Sequence, residues 1–287
     1  MTGIGTAEVT ADGLSQRDFR RLAAYIEETA GIRMPPAKKT MVEGRLRRRL
    51  RALALDGFAA YCRYLFDDGG LGEESVHLID AVTTNKTEFF REAEHFDFLA
   101  RRLLPEMAGR GGRGVEAPFQ VWSAASSVGA EAYSLAMLLA DYAAELRNFH
   151  FSVLATDICT EVLERASAAV FPEDMVAPVP PDMRRRYLLR ARDHDRREVR
   201  IVPGLRRLVS FAQLNLMDEH YPVPRDFDVI FCRNILIYFD RPTQEAVLRR
   251  LLGHLRRGGA LFVGHSETVA GADLGLRSVA CAVFVKE

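Results

Sequence analysis

The stretch VWSAASSVGAEAYSLAM, residues Val121–Met137, decides the fold class. An apolar run is followed by a turn of small residues and then by a helical pattern, which predicts the first strand, loop and helix of a nucleotide-binding sheet. A turn that holds a pyrophosphate normally contains several glycines, but this one contains only Gly129. Glu131 follows in the first helical turn, where its carboxylate would repel phosphate and attract a cation. The turn therefore favours a ligand with an adenosine half and a cationic half.

Strand-like and helix-like segments alternate through the remainder of the chain. This alternation predicts an α/β fold with a doubly wound, Rossmann-like, mostly parallel sheet and ligands at the carboxyl ends of its strands. The other strand-like segments are FSVLATD (151–157), SFAQLNL (210–216), FDVIFCRN (227–234), ALFVGH (260–265) and RSVACAVFVKE (277–287). Residues 185–208 interrupt the pattern, and we expect them to form an inserted β-hairpin subdomain.

The N-terminal part of the chain has helical periodicity and no strand pattern. We expect residues 1–12 to be a flexible tail, residues 13–82 a small all-helical domain and residues 83–287 the sheet domain. Apolar residues spaced three or four apart mark the helices. The stripes are Phe19, Leu22 and Ile26; Leu46, Leu50 and Leu53; Phe58, Tyr61, Cys62 and Leu65; and Val76, Ile79 and Val82.

The composition is typical of a water-soluble globular protein. The 39 basic and 39 acidic residues balance, and no apolar run approaches the ~20 residues that span a bilayer. The N-terminus lacks the basic and apolar regions of a signal peptide. The four cysteines are scattered without a C-x-x-C pair, which predicts reduced thiols, a cytoplasmic location and no metal site.

Two acidic residues suit S-adenosylmethionine, which carries an ammonium group and a ribose but no phosphate. Glu131 could pair with the ammonium, and Asp157, directly after the second predicted strand, is where an acidic residue commonly binds ribose hydroxyls. Each residue also has a simpler explanation. Glu131 could complement a helix dipole, and Asp157 could cap the next helix.

Four motifs in order resemble the chemotaxis receptor methyltransferase (CheR) family. They are VTTNKTEFFRE (82–92), the opening stretch, LATDICTEVLERA (154–166) and FDVIFCRNILIYFD (227–240). The resemblance covers nearly the whole chain. It implies an enzyme that transfers a methyl group from S-adenosylmethionine to glutamate side chains on the cytoplasmic helices of chemoreceptors. The products would be glutamate methyl esters and S-adenosylhomocysteine.

The resemblance also implies a cofactor-binding set. Its members are Asn85, Thr87, Arg91, Glu131, Asp157, Asn215, Leu216, Arg233 and Asn234. Glu131 would bind the methionyl ammonium, Asp157 the ribose, and Asn215 with Leu216 the adenine. Family members often have G-E-E-P-Y-S where this chain has GAEAYS. The cofactor-facing acid is kept, so the change bears on cofactor affinity rather than on the chemistry.

Arg91 and Tyr238 are the implied catalytic residues, and both would orient the substrate carboxylate. A glutamate side chain has an ordinary pKa near ~4.3, so the nucleophile is already ionised at neutral pH and no general base is required. His265, after the fifth strand, is a weaker candidate for a direct role. The alternative for Asn85 and Thr87 is a helix cap, and for Tyr238 a packed aromatic ring.

A basic helix in the N-terminal domain suggests a docking surface for the acidic methylation sites of a receptor. The docking residues are Arg45, Arg48, Arg49 and Arg51 of GRLRRRLRAL. A solvated face and a nucleic-acid patch are the alternatives. The resemblance further suggests that the inserted hairpin binds a receptor C-terminal peptide by strand addition, although its loop ARDHDRRE is crowded with charge.

Three other functions remain possible from the residues. A cofactor-binding regulatory module without catalysis is supported only by the altered GAEAYS turn. A nucleotide-dependent oxidoreductase is disfavoured by the glycine-poor turn. A nucleic-acid methyltransferase would use the same cofactor and a basic helix, but this sequence has no flipped-base pocket motif such as an Asn/Asp-Pro-Pro-aromatic run.

Overall fold

A computed structural model describes residues 13–146, 148–193, 195–269 and 274–287. The chain divides into two compact units, one ending at Thr83 and the other beginning at Thr84. Residues 1–12, expected to be a tail, lie outside the described residues. None of the helices in the described ranges has the length and apolar character needed to cross a bilayer.

The first unit is all helical. It contains α1 (Gln16–Ala30), α2 (Lys39–Ala52), α3 (Phe58–Phe66) and α4 (Leu71–Val82), with a 3-10 turn at Pro36–Lys38 before α2. Ser15 caps α1 by accepting a hydrogen bond from the Asp18 amide at 3.0 Å, as the capping-box spacing predicts. The predicted stripes are buried with two exceptions: Leu53 is half-buried and Val76 is exposed.

The second unit begins with helices. It starts with α5 (Ala93–Phe98), continues through a π-helical turn (Leu99–Leu103) and reaches α6 (Leu104–Gly111). Seven strands then form the main sheet: β1 (Phe119–Ala124), β2 (Phe151–Asp157), β6 (Val209–Gln213), β7 (Phe227–Cys232), β8 (Leu255–Val263), β9 (Leu276–Ala280) and β10 (Val283–Lys286). Helices α7 (Ala130–Glu145), α8 (Thr160–Ala168) and α11 (Arg241–His254) connect them.

The main sheet has the order β6-β2-β1-β7-β8-β10-β9. The first five of these strands are parallel, and β10 runs antiparallel to both its neighbours. The order reverses at β1, because β2 and β6 lie on one side and β7 and β8 on the other. A crevice at the carboxyl ends of β1, β2 and β7 is the expected ligand position in such a sheet. The doubly wound fold predicted from the sequence is confirmed.

The inserted subdomain is larger than the predicted hairpin. Strands β4 (Leu188–Arg190) and β5 (Glu198–Ile201) form the hairpin, and β3 (Val170–Pro172) pairs with the other edge of β5. The resulting sheet has the order β3-β5-β4. Short helices α9 (Pro181–Tyr187) and α10 (Pro203–Arg206) flank the hairpin. A three-residue strand holding Pro172 has too weak a pattern to be separated from a loop in the sequence.

Candidate active site

The turn after β1 places its backbone in an unusual conformation. Ala125, Ser127 and Gly129 all have positive φ, at 64°, 52° and 86°. A Cβ atom on Gly129 would lie 2.9 Å from the Cβ of Ala166 in α8 and 3.3 Å from the Phe211 ring. The single glycine therefore permits close packing of the turn against α8 and β6. The flanking non-glycine residues are held in strained conformations, as often occurs at ligand sites.

Asp157, at the end of β2, is fixed by backbone amides on both sides. Its Oδ2 accepts a hydrogen bond from the Ser127 amide at 2.8 Å, and its Oδ1 accepts one from the Cys159 amide at 3.0 Å. The Ser127 hydroxyl donates to the carbonyl oxygen of Asn85 at 3.0 Å. Two predicted residues, Asn85 and Asp157, are thus joined through Ser127. An acidic residue at the carboxyl end of the second strand commonly binds ribose hydroxyls in such sheets.

Arg233, after β7, lies between two carboxylates. Its side chain is only 1% exposed, with Nη1 3.3 Å from Glu131 Oε2 and Nη2 3.1 Å from Glu92 Oε2. Nη2 also donates to the backbone carbonyl of Arg91. The guanidinium lies near the rings of Phe96 and Phe231, at 5.7 and 5.6 Å. Arg233 therefore connects the β1–α7 turn to the segment that carries Arg91.

The two carboxylates beside Arg233 differ in their acidity. Burial raises the pKa of Glu131, and the charge of Arg233 and a hydrogen bond from Ser123 only partly oppose this effect. The Ser123 hydroxyl donates to Glu131 Oε1 at 2.7 Å. Burial also acts to raise the pKa of Glu92, but the hydrogen bond from Asn234 and the charge of Arg233 lower it. Glu92 is therefore the more firmly ionised of the pair.

Asn234 and Tyr238 lie on a loop organised by Glu267. The Glu267 side chain is buried and accepts hydrogen bonds from the amides of Asn234 at 2.9 Å, Ile237 at 3.3 Å and Gly264 at 2.6 Å. Asn234 has φ of 58°, and its Nδ2 donates to Glu92 Oε1 at 3.1 Å. Tyr238 is half-buried at the end of a 3-10 turn, Leu236–Tyr238. Glu267 thus fixes the backbone that presents both residues.

The predicted adenine residues follow β6. The Leu214 amide donates to the Asp157 carbonyl at 3.0 Å, which ties this loop to the loop after β2. Asn215 Oδ1 accepts from the Met217 amide at 3.0 Å. Leu216 is buried, and its carbonyl accepts from the Tyr221 hydroxyl at 2.7 Å. The loop has a defined backbone and presents one polar and one apolar side chain.

Two other predicted residues lie on the segment before α5. Thr87 is half-buried. Arg91 is also half-buried, its Nη1 donates to the Lys86 carbonyl at 3.3 Å, and its charge acts on Glu131. Phe90 and Glu92, on either side of Arg91, both have positive φ. This backbone brings Arg91 into the neighbourhood of Glu131 and Arg233.

The residues at this edge fit a cofactor that carries polar groups. Within the described ranges, buried Ser126 Oγ and Arg233 Nε have no hydrogen-bond partner. Buried polar atoms are normally paired, so these two atoms are available to a ligand. Together with the carboxylates of Glu131 and Asp157, they offer polar groups of the kinds that suit the ammonium, carboxylate and ribose of S-adenosylmethionine.

The predicted docking arginines divide into two groups. Arg45 Nη1 donates to the carbonyls of Val82 at 2.5 Å and Thr83 at 2.6 Å, at the C-terminus of α4. Arg49 forms a bidentate pair with buried Glu74, at 2.8 and 2.7 Å. Both residues therefore stabilise the helical unit itself. Arg48 and Arg51 are exposed on α2.

The sequence patterns do not identify three residues that contact the site. Glu92 only ends a motif, Glu267 belongs to no motif, and Ser127 resembles any small turn residue. Glu92 accepts a hydrogen bond from the side chain of Asn234, and Glu267 accepts one from the backbone amide of Asn234. Both partners lie far apart along the chain. The sequence offers only two signals for them: Glu92 directly follows Arg91, and Glu267 lies two positions after His265.

The fold and site define an S-adenosylmethionine-dependent methyltransferase with an all-helical N-terminal unit. Residues 85–285 match the model of the CheR methyltransferase S-adenosylmethionine-binding domain, and residues 17–83 match that of the CheR all-alpha domain. The chain belongs to the CheR methyltransferase family, as the motif resemblance predicted, and its cofactor is S-adenosylmethionine.

Several curated relatives are similar over almost their whole length. A chemotaxis protein methyltransferase from Salmonella typhimurium is 42% identical over 254 residues, which cover 88% of this chain and 84% of the relative. One from Borreliella burgdorferi is 36% identical over 90% of both chains. Chemotaxis protein methyltransferase 2 from Pseudomonas aeruginosa is 37% identical over 94% of this chain and 93% of its own.

Proposed function

We propose that this methyltransferase acts on chemoreceptors and esterifies glutamate side chains of their cytoplasmic helices. The observation that carries the proposal is the group of charges around Arg233, where two carboxylates and Arg91 lie near one another. Its charges suit a cationic methyl donor and an anionic acceptor. The printed names of the relatives supply the chemotaxis context. A cytoplasmic location follows from such a substrate and belongs to the proposal.

The reaction does not need a general base. S-adenosylmethionine supplies a methyl group on a positively charged sulfur, and a glutamate carboxylate is ionised at neutral pH. One carboxylate oxygen forms a bond to the methyl carbon as the carbon–sulfur bond breaks, and the two opposite charges disappear. Residues of the site then need only align the reactants and exclude water.

Specific residues fit these tasks. Glu131 would hold the ammonium, Asp157 the ribose, and Asn215 with Leu216 the adenine. Arg233 would keep Glu131 in position. Asn85, Thr87 and Asn234 would line the remaining walls of the crevice.

Arg91 and Tyr238 would orient the substrate carboxylate without binding it so tightly that it loses nucleophilicity. We expect Arg91→Ala to lower kcat by about 10²-fold, the size of a well-oriented positioning contact, while the Kd for S-adenosylmethionine changes little. Single-turnover kinetics and calorimetry measure the two effects separately. Wild-type kcat in the variant would contradict the assignment.

The decisive experiment uses methyl-labelled S-adenosylmethionine and receptor cytoplasmic fragments from the same organism. Transfer of base-labile label to receptor glutamates is the expected result. Receptor fragments with the acceptor glutamates changed to glutamine serve as the control and should stay unlabelled. Cofactor binding without transfer to any receptor would favour a regulatory module instead.

A second contact with the receptor is proposed at the inserted sheet. Strand β4 is an edge strand, paired on one side with β5, and its Leu189 side chain is 49% exposed. An extended receptor C-terminal peptide could pair with this edge. The amides of Val202 and Ala191 donate to the carbonyls of Tyr187 and Glu198, so residues 187, 189 and 191 face β5 and the Arg190 N–H lies on the free edge. Arg190→Pro removes that donor, so binding of such a peptide should be lost while methylation of a receptor fragment lacking it is retained.

A further inference from the structure

Glu92, His95 and His265 form a cluster whose ligand atoms lie close together. His95 Nδ1 is 3.4 Å and His265 Nε2 4.0 Å from Glu92 Oε2. All three atoms lie within 4.8 Å of one another. Two imidazole nitrogens and one carboxylate oxygen are a common ligand set for first-row transition metals. The expectation of no metal site rested on the scattered cysteines, and this cluster contains none.

His95 has an unused nitrogen directed into the cluster. The ring is 2% exposed, and its Nε2 lies 3.3 Å from the Cys281 carbonyl. A carbonyl only accepts hydrogen bonds, so the proton belongs on Nε2 and Nδ1 keeps a lone pair. Among the described residues, no hydrogen-bond partner satisfies Nδ1. A lone pair directed at a carboxylate needs a cation between them.

The contact between His95 Nδ1 and Glu92 Oε2, at 3.4 Å, does not satisfy Nδ1 as a hydrogen bond. A neutral imidazole nitrogen that keeps its lone pair is the form that binds a metal ion.

Outer contacts orient two of the ligands as they do in known metal sites. Histidine ligands usually donate their second ring N–H to a carbonyl or carboxylate, as His95 does to Cys281. The other oxygen of Glu92, Oε1, accepts from Asn234 at 3.1 Å. His265 is 38% exposed, so its ring can move the short distance needed to bring Nε2 within coordination reach.

Arg233 is the main opposing feature. Its Nη2 lies 3.1 Å from Glu92 Oε2, which also accepts from the His265 amide at 3.3 Å. Glu131 pairs with the same guanidinium. The carboxylates of Glu92 and Glu131 balance the charges of Arg233 and Arg91 when both are ionised, so an added cation would not meet a net positive charge.

We propose that Glu92, His95 and His265 bind one divalent transition-metal ion of the zinc, cobalt or nickel class, with water completing the coordination. The ion would join the start of α5 to the loop after β8. This site is additional to the methyl-transfer chemistry and is not required by it.

Cobalt binding tests the proposal without an activity measurement. Protein stripped with a chelator should bind one Co²⁺ per chain with visible d–d absorption, and Zn²⁺ should displace it. His265→Ala alters an exposed side chain and should weaken binding by at least about 100-fold, beyond the ~10–100-fold cost of losing an outer contact. His77→Ala, an exposed histidine on α4, is the matched control and should bind like wild type.

A second measurement reports on His95 without any mutation. Two-bond proton–nitrogen NMR should show the Nε2–H tautomer in metal-free protein, and Zn²⁺ should shift the Nδ1 resonance. The absence of a Co²⁺ spectrum in wild type, or equal binding by His265→Ala, would overturn the proposal.

Discussion

Arg233 is the residue on which the site depends most. It contacts Glu92, Glu131 and the Arg91 carbonyl, and these groups come from two other segments of the chain. The FDVIFCRN motif indicated that Arg233 belongs to the cofactor pocket, but it did not indicate these partners. A buried guanidinium held by two carboxylates is costly to desolvate, which makes a role in positioning the site more plausible than a role in stability alone.

Glu131 should control cofactor affinity through its charge. In Glu131→Gln the side chain keeps an oxygen that can accept from Ser123, but the charge is lost. A hydrogen bond to a charged group contributes ~1.5–3 kcal/mol, so the affinity for S-adenosylmethionine should fall about 10- to 100-fold. Calorimetry measures this change. The matched control is Glu145→Gln, at the exposed end of the same helix, and an equal loss in both variants would remove the special role of Glu131.

The pH dependence of cofactor binding follows from the same carboxylate. An ammonium prefers the ionised form of Glu131, whose pKa burial has raised. Affinity should therefore be complete above that raised pKa and should decline as the pH falls through it, at a higher pH than for an ordinary glutamate. The Glu131→Gln variant should lack this decline. A decline of the same shape in the variant would assign it to another group.

Residue roles were harder to predict than residue positions. The motifs located Asn85, Asp157 and Arg233 at loops that the structure also brings to one edge of the sheet. Glu92 and Glu267 could not be found in this way, because they act through hydrogen bonds to Asn234, which is more than thirty residues from either one along the chain. Sequence patterns report local periodicity and do not report such contacts.

At the scale of elements, strands that are buried on both faces were predicted well. All six residues of β7 are buried and all but Asp228 are apolar, which is typical of a central parallel strand. The edge elements were predicted less well, because β3 has three residues and the inserted sheet has little core of its own. The helical spacing of Val76, Ile79 and Val82 predicts that all three are buried, but Val76 is exposed. A stripe of three residues is too short to define the buried face of a helix reliably.

Asp228 is the polar exception within β7, and it should stabilise the amino-end edge of the sheet. Its carboxylate is fully buried and accepts from Arg113 at 2.7 and 2.9 Å and from Arg256 at 2.6 Å. The Gln120 amide donates to it at 2.8 Å. Three elements are thus joined at one carboxylate that has no part in the proposed chemistry.

Asp228→Ala should lower the free energy of unfolding by about 2–4 kcal/mol. Breaking a fully buried ion pair costs ~3–5 kcal/mol, and the cost should be somewhat smaller here because both arginines are partly exposed. Chemical denaturation of the sheet unit measures the change. Asp218→Ala, at an exposed position, should stay within ~0.5 kcal/mol of wild type. A similar effect of the two substitutions would mean that the Asp228 pairs add nothing to stability.

The whole molecule combines a methyltransferase sheet with a helical unit in which arginines cluster on α2. The chain carries no net charge at neutral pH, so its basic face on α2 is a local feature. Arg45 donates hydrogen bonds to carbonyls at the C-terminus of α4, and Arg49 forms a bidentate pair with Glu74. The proposed docking function therefore rests on the exposed members, Arg48 and Arg51.

Reversal of charge at Arg48 and Arg51 should separate substrate docking from chemistry. In the Arg48→Glu/Arg51→Glu variant, KM for receptor should rise about tenfold, the effect of ~1.4 kcal/mol. The Kd for S-adenosylmethionine should not change, because the cofactor residues belong to the other unit. The increase should be largest at low ionic strength, since salt screens exposed charges over ~10 Å at 0.1 M. Methylation kinetics at several salt concentrations measure it.

The matched control reverses two exposed arginines on α1, Arg17→Glu/Arg20→Glu, and changes the net charge by the same amount. If docking uses the face on α2, the control should leave KM for receptor near the wild-type value. Equal increases in both variants would instead indicate that the receptor responds to overall charge, because a long-range field does not distinguish α1 from α2. No change in either would place receptor recognition outside both helices, and the edge of β4 would then be the next surface to alter.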